Sequence, residues 1–188
     1  MGLGWIMNKV RSGWGDESEQ ADPALAIEQP PSLPWEDHAI VAATRAAMRS
    51  LGFQDIGAFR LARDPKIQLL AAYFPQAHFY AMTYPPAGEL VPVELCCQFD
   101  EMSGISVTNS ESQPTWHESP GNTTVRMAQA NLDLLFSALL ERTAGQDRLP
   151  TSSETFVSDF QRALTRRVEW ERRKELALKT LAERKAAA

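Results

Sequence analysis

Three histidines are the side chains of this chain best suited to acid–base or metal chemistry. His38, His78 and His117 are predicted to lie on a helix, on a strand and in a loop, respectively. No two of them have the HxxxH spacing that sets two imidazole rings on one helical face, so the pattern predicts no metal site and no cofactor. His78 or His117 could act as a general base beside a carboxylate. A hydrolase-type enzyme is therefore one hypothesis, although no catalytic residue is assigned.

The polar stretch 110–121 contains the best local candidate for recognition, Trp116-His117-Glu118. Residues that bind ligands concentrate on loops held by a rigid scaffold. Trp116 could also close the open end of a sheet, which is the more common role for such a residue. Trp116 and His117 are kept as ligand-binding candidates.

Three polar-tipped side chains share one face of a predicted strand: His78, Tyr80 and Tyr84. Rings with apolar bodies and polar tips can line a ligand pocket beneath a curved sheet. This pattern gives a second hypothesis, a small-molecule binding domain with a Tyr/His-lined pocket. The same side chains could instead form the rim of a core covered by a helix, which is the more common outcome.

The two cysteines, Cys96 and Cys97, are adjacent. Neighbouring residues of a strand point to opposite faces of the sheet, so the two thiols are not placed to share a metal ion or a disulfide. They are predicted to be reduced, small hydrophobic side chains, which is typical of a cytosolic protein.

The first 14 residues are predicted to form an amphipathic docking segment. Such a segment could bind a protein partner or lie on a membrane surface, and the alternatives are a frayed terminus or a segment packed on its own domain. Residues 15–34 are acidic and rich in proline, so they are predicted to be a disordered linker. The partner-binding candidates of the docking segment are Trp5, Met7, Val10 and Trp14.

The C-terminal region from residue 151 predicts one long charged helix. Thr151 and Glu154 have the spacing of a capping box, and the helix is predicted over 152–184. Its length would be roughly 50 Å, whereas a body of this size measures about 35 Å across. The second half of the helix should therefore extend past the body, fray, or pack on another chain. Its partner-binding candidates are Trp170, Leu178 and Leu181.

Charge is distributed unevenly along the chain. Residues 1–150 carry 10 Lys and Arg against 18 Asp and Glu, a net charge of −8, whereas residues 151–188 carry 9 against 6, a net charge of +3. An acidic body is repelled by nucleic-acid phosphates. Within the basic C-terminal region, Glu169 lies four residues before Arg173, and Glu175 four before Lys179, so part of the positive charge is compensated. No nucleic-acid binding is expected.

Apolar periodicity divides the remaining chain, 35–150, into helices and strands. It predicts an α+β fold: an antiparallel meander of five to six strands, packed by two amphipathic helices, with the long C-terminal helix added. Short connections between strands favour antiparallel neighbours. Ser106 and Thr108 are expected on a solvent face. The predicted helices are 35–50 and 131–144, and the predicted strands are 53–61, 67–74, 78–84, 90–99, 105–109 and 123–127.

Some of these motifs resemble a pattern seen in uncharacterised bacterial proteins. The resemblance rests on Leu51-Gly52-Phe53, on Ser106-Val107-Thr108-Asn109 and on Pro120-Gly121, with Gly57, Phe59 and Val125-Arg126 between and after them. It covers roughly residues 36–170. It implies a bacterial soluble or membrane-peripheral domain, and it carries over no activity and no catalytic residue.

Composition places the chain among globular proteins. It has 188 residues, 44% of them hydrophobic and 23% charged, with no apolar run long enough for a membrane span. No signal peptide is expected. A cytoplasmic location is expected, with peripheral membrane contact through residues 1–14 as the alternative. The favoured function is a non-enzymatic interaction or accessory module that assembles with a protein partner, or with itself, through its terminal helices.

Overall fold

The structure is a computed structural model, and it describes residues 25–62, 64–111 and 121–186. These described residues contain seven strands and three helices, so the α+β class is confirmed. The strands are β1 (Ile27–Glu28), β2 (Gln54–Leu61), β3 (Gln68–Phe74), β4 (Phe79–Thr83), β5 (Val93–Gln98), β6 (Gly104–Thr108) and β7 (Asn122–Arg126). The helices are α1 (Ala39–Leu51), α2 (Leu132–Arg142) and α3 (Phe156–Ala186).

All seven strands form one sheet whose spatial order follows the chain, from β1 to β7. The pairs from β1–β2 to β5–β6 are antiparallel, as predicted for those from β2 onward, but β6 and β7 are parallel. A parallel pair needs a crossover of a dozen or more residues, and the connection 109–121 has that length. The predicted antiparallel meander thus describes the strands up to β6, and the β6–β7 pair departs from it.

Strand β1 was not predicted, because it lies within the proline-rich stretch 15–34. Ile27 pairs with Leu61, and Arg60 donates to the Glu28 carboxylate at 2.7 Å. Leu25 and Leu33 on either side of β1 are buried. The predicted disordered linker therefore does not describe residues 25–34, and residues 15–24 lie outside the described part of the chain.

The sheet separates two hydrophobic cores. On one face, α1 and α2 bury Val41, Met48, Leu135 and Leu139 against the sheet, with side chains of β5 and β6 such as Leu95. On the other face, the first half of α3 buries its apolar side chains against β2, β3 and β4. The result is a three-layer arrangement, with two short helices on one side of the sheet and one long helix on the other.

Each of the two short helices is capped at one end by a residue type that is common at that position. Gly52 has a φ of +101° and its N–H bonds back to the carbonyls of the last turn of α1, as expected of a glycine cap. The side chain of Asn131 accepts a hydrogen bond from the N–H of Leu134 at 3.0 Å and caps α2.

The start of α3 differs from the predicted capping box. Ser152 and Thr155 cap each other: the Ser152 Oγ accepts from the Thr155 N–H at 3.2 Å, and the Thr155 Oγ1 accepts from the Ser152 N–H at 3.1 Å. Thr151 Oγ1 makes no hydrogen bond. The cap is therefore shifted by one residue from the predicted Thr151–Glu154 pair.

No helix in the described residues combines the length and the apolar character needed to cross a membrane.

Candidate functional site

The first half of α3 is fixed to the sheet by apolar packing. Phe156, Phe160 and Leu164 are buried against β2, β3 and β4, and the Phe156 ring lies 5.0 Å from that of Phe59 and 5.2 Å from that of Tyr80. Each such side chain contributes about 1.5–3 kcal/mol on burial. The first half of the helix therefore has a defined position on the body.

A polar network adds to this packing at the start of α3. The Tyr80 hydroxyl donates to the Asp159 carboxylate at 2.9 Å, shares a hydrogen bond with the Thr155 hydroxyl at 2.8 Å, and lies 3.2 Å from the Ser152 carbonyl. Burial raises the pKa of Tyr80, and the Asp159 carboxylate raises it further. Asp159 in turn pairs with Arg162. The site residue Tyr80 thus positions α3.

The remaining half of α3 continues past the last residues that pack on the sheet. Ala163, Arg167 and Val168 are still buried, Trp170 is half-buried, and every residue from 172 to 180 is exposed. We refer to residues 171–186 as the overhang. At 1.5 Å per residue the overhang adds about 24 Å of helix. The predicted extension beyond the body is thus seen in the described residues.

Leu178 of the overhang continues the apolar stripe that packs on the sheet. Eighteen residues make five turns of an α-helix, so position 178 faces the same direction as position 160. Phe160 is buried on the sheet, whereas Leu178 is 58% exposed. Leu176, on nearly the opposite side of the helix, is 67% exposed. The overhang therefore presents apolar side chains that the body does not cover.

Positive charge accompanies these leucines. Residues 171–186 carry six basic and three acidic residues, whereas residues 25–150 carry 8 basic and 14 acidic residues. The Lys174 ammonium lies 5.0 Å from the Trp170 ring centre, and Arg173 pairs with Glu169 at 3.9 Å. Such contacts at exposed positions contribute little stability. The overhang is thus a basic, partly apolar helix attached to an acidic body.

The β5–β6 turn lies beside the flank of α3. The Asp100 carboxylate accepts from the Ser103 hydroxyl and from the N–H groups of Met102 and Ser103, which lowers its pKa. Burial and the neighbouring Arg162 lower the pKa of Arg166, while Asp100 and Glu101 act in the opposite direction. This turn places acidic groups near the basic flank of the packed half of α3.

The other predicted pocket residue on the sheet, Tyr84, is also a core residue. Its hydroxyl donates to the Glu94 carboxylate at 2.9 Å, and Glu94 is only 1% exposed. Tyr80 and Tyr84 are 3% and 4% exposed and belong to the core beneath α3. The pocket hypothesis required an open sheet face at these two rings, and the face is filled there by the helix.

His78 does not lie on the strand face with the two tyrosines. It belongs to the turn before β4 and has a φ of +55°, a conformation in which histidine is among the more frequent residues other than glycine. Its Nδ1 accepts from the N–H of Thr151 at 3.5 Å. His78 is therefore placed to hold the segment that leads into α3, and it is not brought together with Tyr80 and Tyr84 as one face.

The two cysteines point into opposite cores, as expected of neighbours on a strand. Both are free and buried, Cys96 on the α3 face and Cys97 on the α1–α2 face. Burial raises the pKa of Cys96 well above its ordinary value, and Glu94 adds to this. Burial also raises the pKa of Cys97 to about 11, against the effect of Arg148. Neither thiol is thus prepared to react as a thiolate near neutral pH.

Several candidates lie outside the described residues. These are Trp5, Met7, Val10 and Trp14 of the docking segment, the loop residues Trp116 and His117, and the side chain of Leu181. Their assigned roles remain predictions.

Three exposed leucines are not among the predicted site residues: Leu134 and Leu140 of α2 and Leu176 of α3. Leu134 is 54% exposed and Leu140 is 37% exposed. A helical wheel centred on the buried Leu135 and Leu139 places both leucines away from the sheet, but the structure was needed to show which side of the helix is buried.

Among the described residues, no group of three or more His, Cys, Asp or Glu side chains is placed to hold a metal ion. Comparison with known proteins gave no match to a family model, to a curated protein or to a solved structure. The resemblance to bacterial proteins therefore gains no support, and the bacterial origin it implies remains a prediction.

Proposed function

We propose that this chain is a non-enzymatic interaction module that assembles with another protein chain through the overhang of α3. The observation that carries the proposal is the change of environment along one continuous helix. Its first half is buried on the sheet, whereas residues 172–180 are all exposed and include Leu176 and Leu178.

An isolated helical segment of this length would be marginal in water. The overhang does not have to nucleate, because α3 is already formed and fixed to the sheet by Phe156, Phe160 and the Tyr80 hydroxyl. The segment 156–186 also contains no glycine or proline that would break the helix. Binding would therefore lose little conformational entropy, which favours association through this surface.

The predicted docking segment 1–14 is a second candidate surface of the same module. It is retained with its candidates Trp5 and Trp14, and with the alternative that it contacts a membrane surface. A cytoplasmic location with such peripheral contact remains part of the proposal.

Site-specific photo-cross-linking in cells tests the proposal. A photoreactive residue is placed at position 176 in one variant and at position 102 in a matched control. Leu176 is 67% exposed and Met102 is 62% exposed, so the two probes are equally accessible to solvent. The expected result is a discrete cross-linked species from position 176 and none, or far less, from position 102. Equal yields from both positions, or no adduct from position 176, would contradict the proposal.

A further inference from the structure

We infer that the overhang of α3 binds the outer face of α2 in a second copy of this chain. This inference rests on the proposed function and adds the identity of the partner surface. It starts from the exposed large hydrophobic side chains of the described residues. Four of these five side chains lie on the two helices concerned: Leu134 and Leu140 on α2, and Leu176 and Leu178 on the overhang. The fifth, Met102, lies in the β5–β6 turn.

The outer face of α2 combines leucine with negative charge. Asp133, Ser137 and Leu140 follow one another at positions i, i+4 and i+7, with Leu134 and Glu141 beside them, and all five are exposed. The opposite side of the helix carries Leu135 and Leu139, which are fully buried on the sheet. The outer face is therefore an exposed surface of a well-held helix.

The overhang carries the complementary pattern. On the helix surface Leu176 has Arg172, Arg173, Lys179 and Thr180 as its neighbours three and four positions away. The overhang thus offers Leu176 among basic side chains, and α2 offers Leu134 and Leu140 beside acidic side chains. Charge complementarity of this kind selects partners and speeds their encounter.

The overhang is not able to reach α2 of its own chain. The helices α2 and α3 pack on opposite faces of the sheet, and α3 is continuous from residue 156 to 186. A contact between the overhang and the outer face of α2 therefore requires a second molecule. In a two-fold symmetric pair each chain would supply one overhang and one α2, so the contact would form twice.

Charge reversal with rescue tests the inference, with sedimentation velocity of the purified full-length chain as the measurement. One variant carries Asp133→Lys and Glu141→Lys on α2, a second carries Arg172→Glu and Lys179→Glu on the overhang, and a third combines all four. The matched control is Glu89→Lys with Asp147→Lys, two exposed acidic residues outside α2. The native chain is expected to dimerise, and each of the first two variants should weaken dimerisation at least tenfold. The four-fold variant should recover most of the loss, and the control should resemble the native chain.

The possible failures separate the two claims. If the overhang variant dissociates the dimer while the α2 variant does not, or if the four-fold variant recovers nothing, the inference about α2 is wrong and the proposed function stands. If the native chain is monomeric while position 176 still cross-links to a different protein in cells, the partner is not a second copy of this chain, and the proposed function stands. If the native chain is monomeric and position 176 forms no adduct, both are wrong.

Discussion

The phenol of Tyr80 connects the sheet to the helix that carries the proposed interaction surface. Its hydroxyl is within hydrogen-bond distance of the Thr155 hydroxyl, the Asp159 carboxylate and the Ser152 carbonyl, all at the start of α3. The sequence placed Tyr80 on a strand face and indicated a buried or ligand-binding role, but it did not show that Asp159 lies opposite. That pairing spans 79 positions of the chain, and no local pattern reports it.

Tyr80→Phe should therefore destabilise the protein through the loss of the hydroxyl alone. Removing a donor to a carboxylate and an acceptor for Thr155 should lower the free energy of unfolding by about 1–3 kcal/mol. Tyr73→Phe is the matched control, because its hydroxyl donates to the exposed Gln54 side chain, and its loss should cost no more than about 0.5 kcal/mol. Urea unfolding of both variants measures the difference, and equal costs would show that the network adds nothing to the position of α3.

The thiol of Cys97 should make stability depend on alkaline pH. Its pKa is about 11 in the folded protein, against an ordinary value of 9.0, because burial disfavours the thiolate. Between these two pH values the folded chain keeps a proton that the unfolded chain has released. The contribution is therefore complete below pH 9 and is lost as the pH rises towards 11.

Cys97→Ala should reduce this alkaline loss of stability, although the smaller side chain lowers stability at every pH. The slope of the unfolding free energy against pH reports how many protons are released on unfolding. Between pH 9 and 11 this number should decrease by up to one in the variant. Cys96 and Tyr80, whose pKa values are also raised, leave a residual slope in the variant. Chemical unfolding at a series of pH values gives both slopes, and identical slopes would contradict the prediction.

At the scale of elements, regular patterns allowed most boundaries to be predicted. Strand alternation and the positions of Pro and Gly predicted the boundaries of β2 to β7 to within a few residues, because each strand ends at a turn that the sequence indicates. Strand β1 has only Ile27 and Glu28, too few residues for a pattern. The direction of β7 and the burial of Ser106 and Thr108 depend on tertiary packing, so alternation alone misassigned both.

The parallel β6–β7 pair depends on a glycine at the point where the crossover returns. Gly121 has a φ of +89°, and a Cβ there would lie 2.5 Å from the carbonyl oxygen of Met102. Such a contact forces the backbone to move, in addition to the strain of the left-handed conformation. The close approach of Gly121 to the β5–β6 turn is thus part of how β7 is held beside β6.

Gly121→Ala should consequently cost more stability than the same change at Gly145. Gly145 also has a positive φ, of +73°, but a Cβ there meets no atom within 4 Å. The left-handed conformation alone should cost about 1–2 kcal/mol at both sites. The contact with Met102 should add about 1–3 kcal/mol at Gly121. Thermal unfolding measures the loss of stability in each variant. Equal losses would show that the β5–β6 turn moves to accommodate the added Cβ without a loss of stability.

At the scale of the whole molecule, one helix is both a structural element and an exposed surface. The sequence predicted this from length, because a helix of that size exceeds the diameter of the body. It did not predict the outer face of α2, because the exposure of Leu134 and Leu140 is recognised only once the buried side of that helix is known. The molecule has an acidic body and a basic helical extension, and the proposed dimer would use both the overhang and α2 of each chain.

Isotope-resolved cross-linking of the purified full-length chain tests this account most directly. Equal amounts of ¹⁴N-labelled and ¹⁵N-labelled chain, both with a photoreactive residue at position 176, are mixed, irradiated and examined by mass spectrometry. If the proposed dimer forms, mixed-isotope cross-links are expected from position 176 to peptides that contain residues 132–142. Cross-links confined to one isotope, or cross-links between chains that miss this helix, would contradict it.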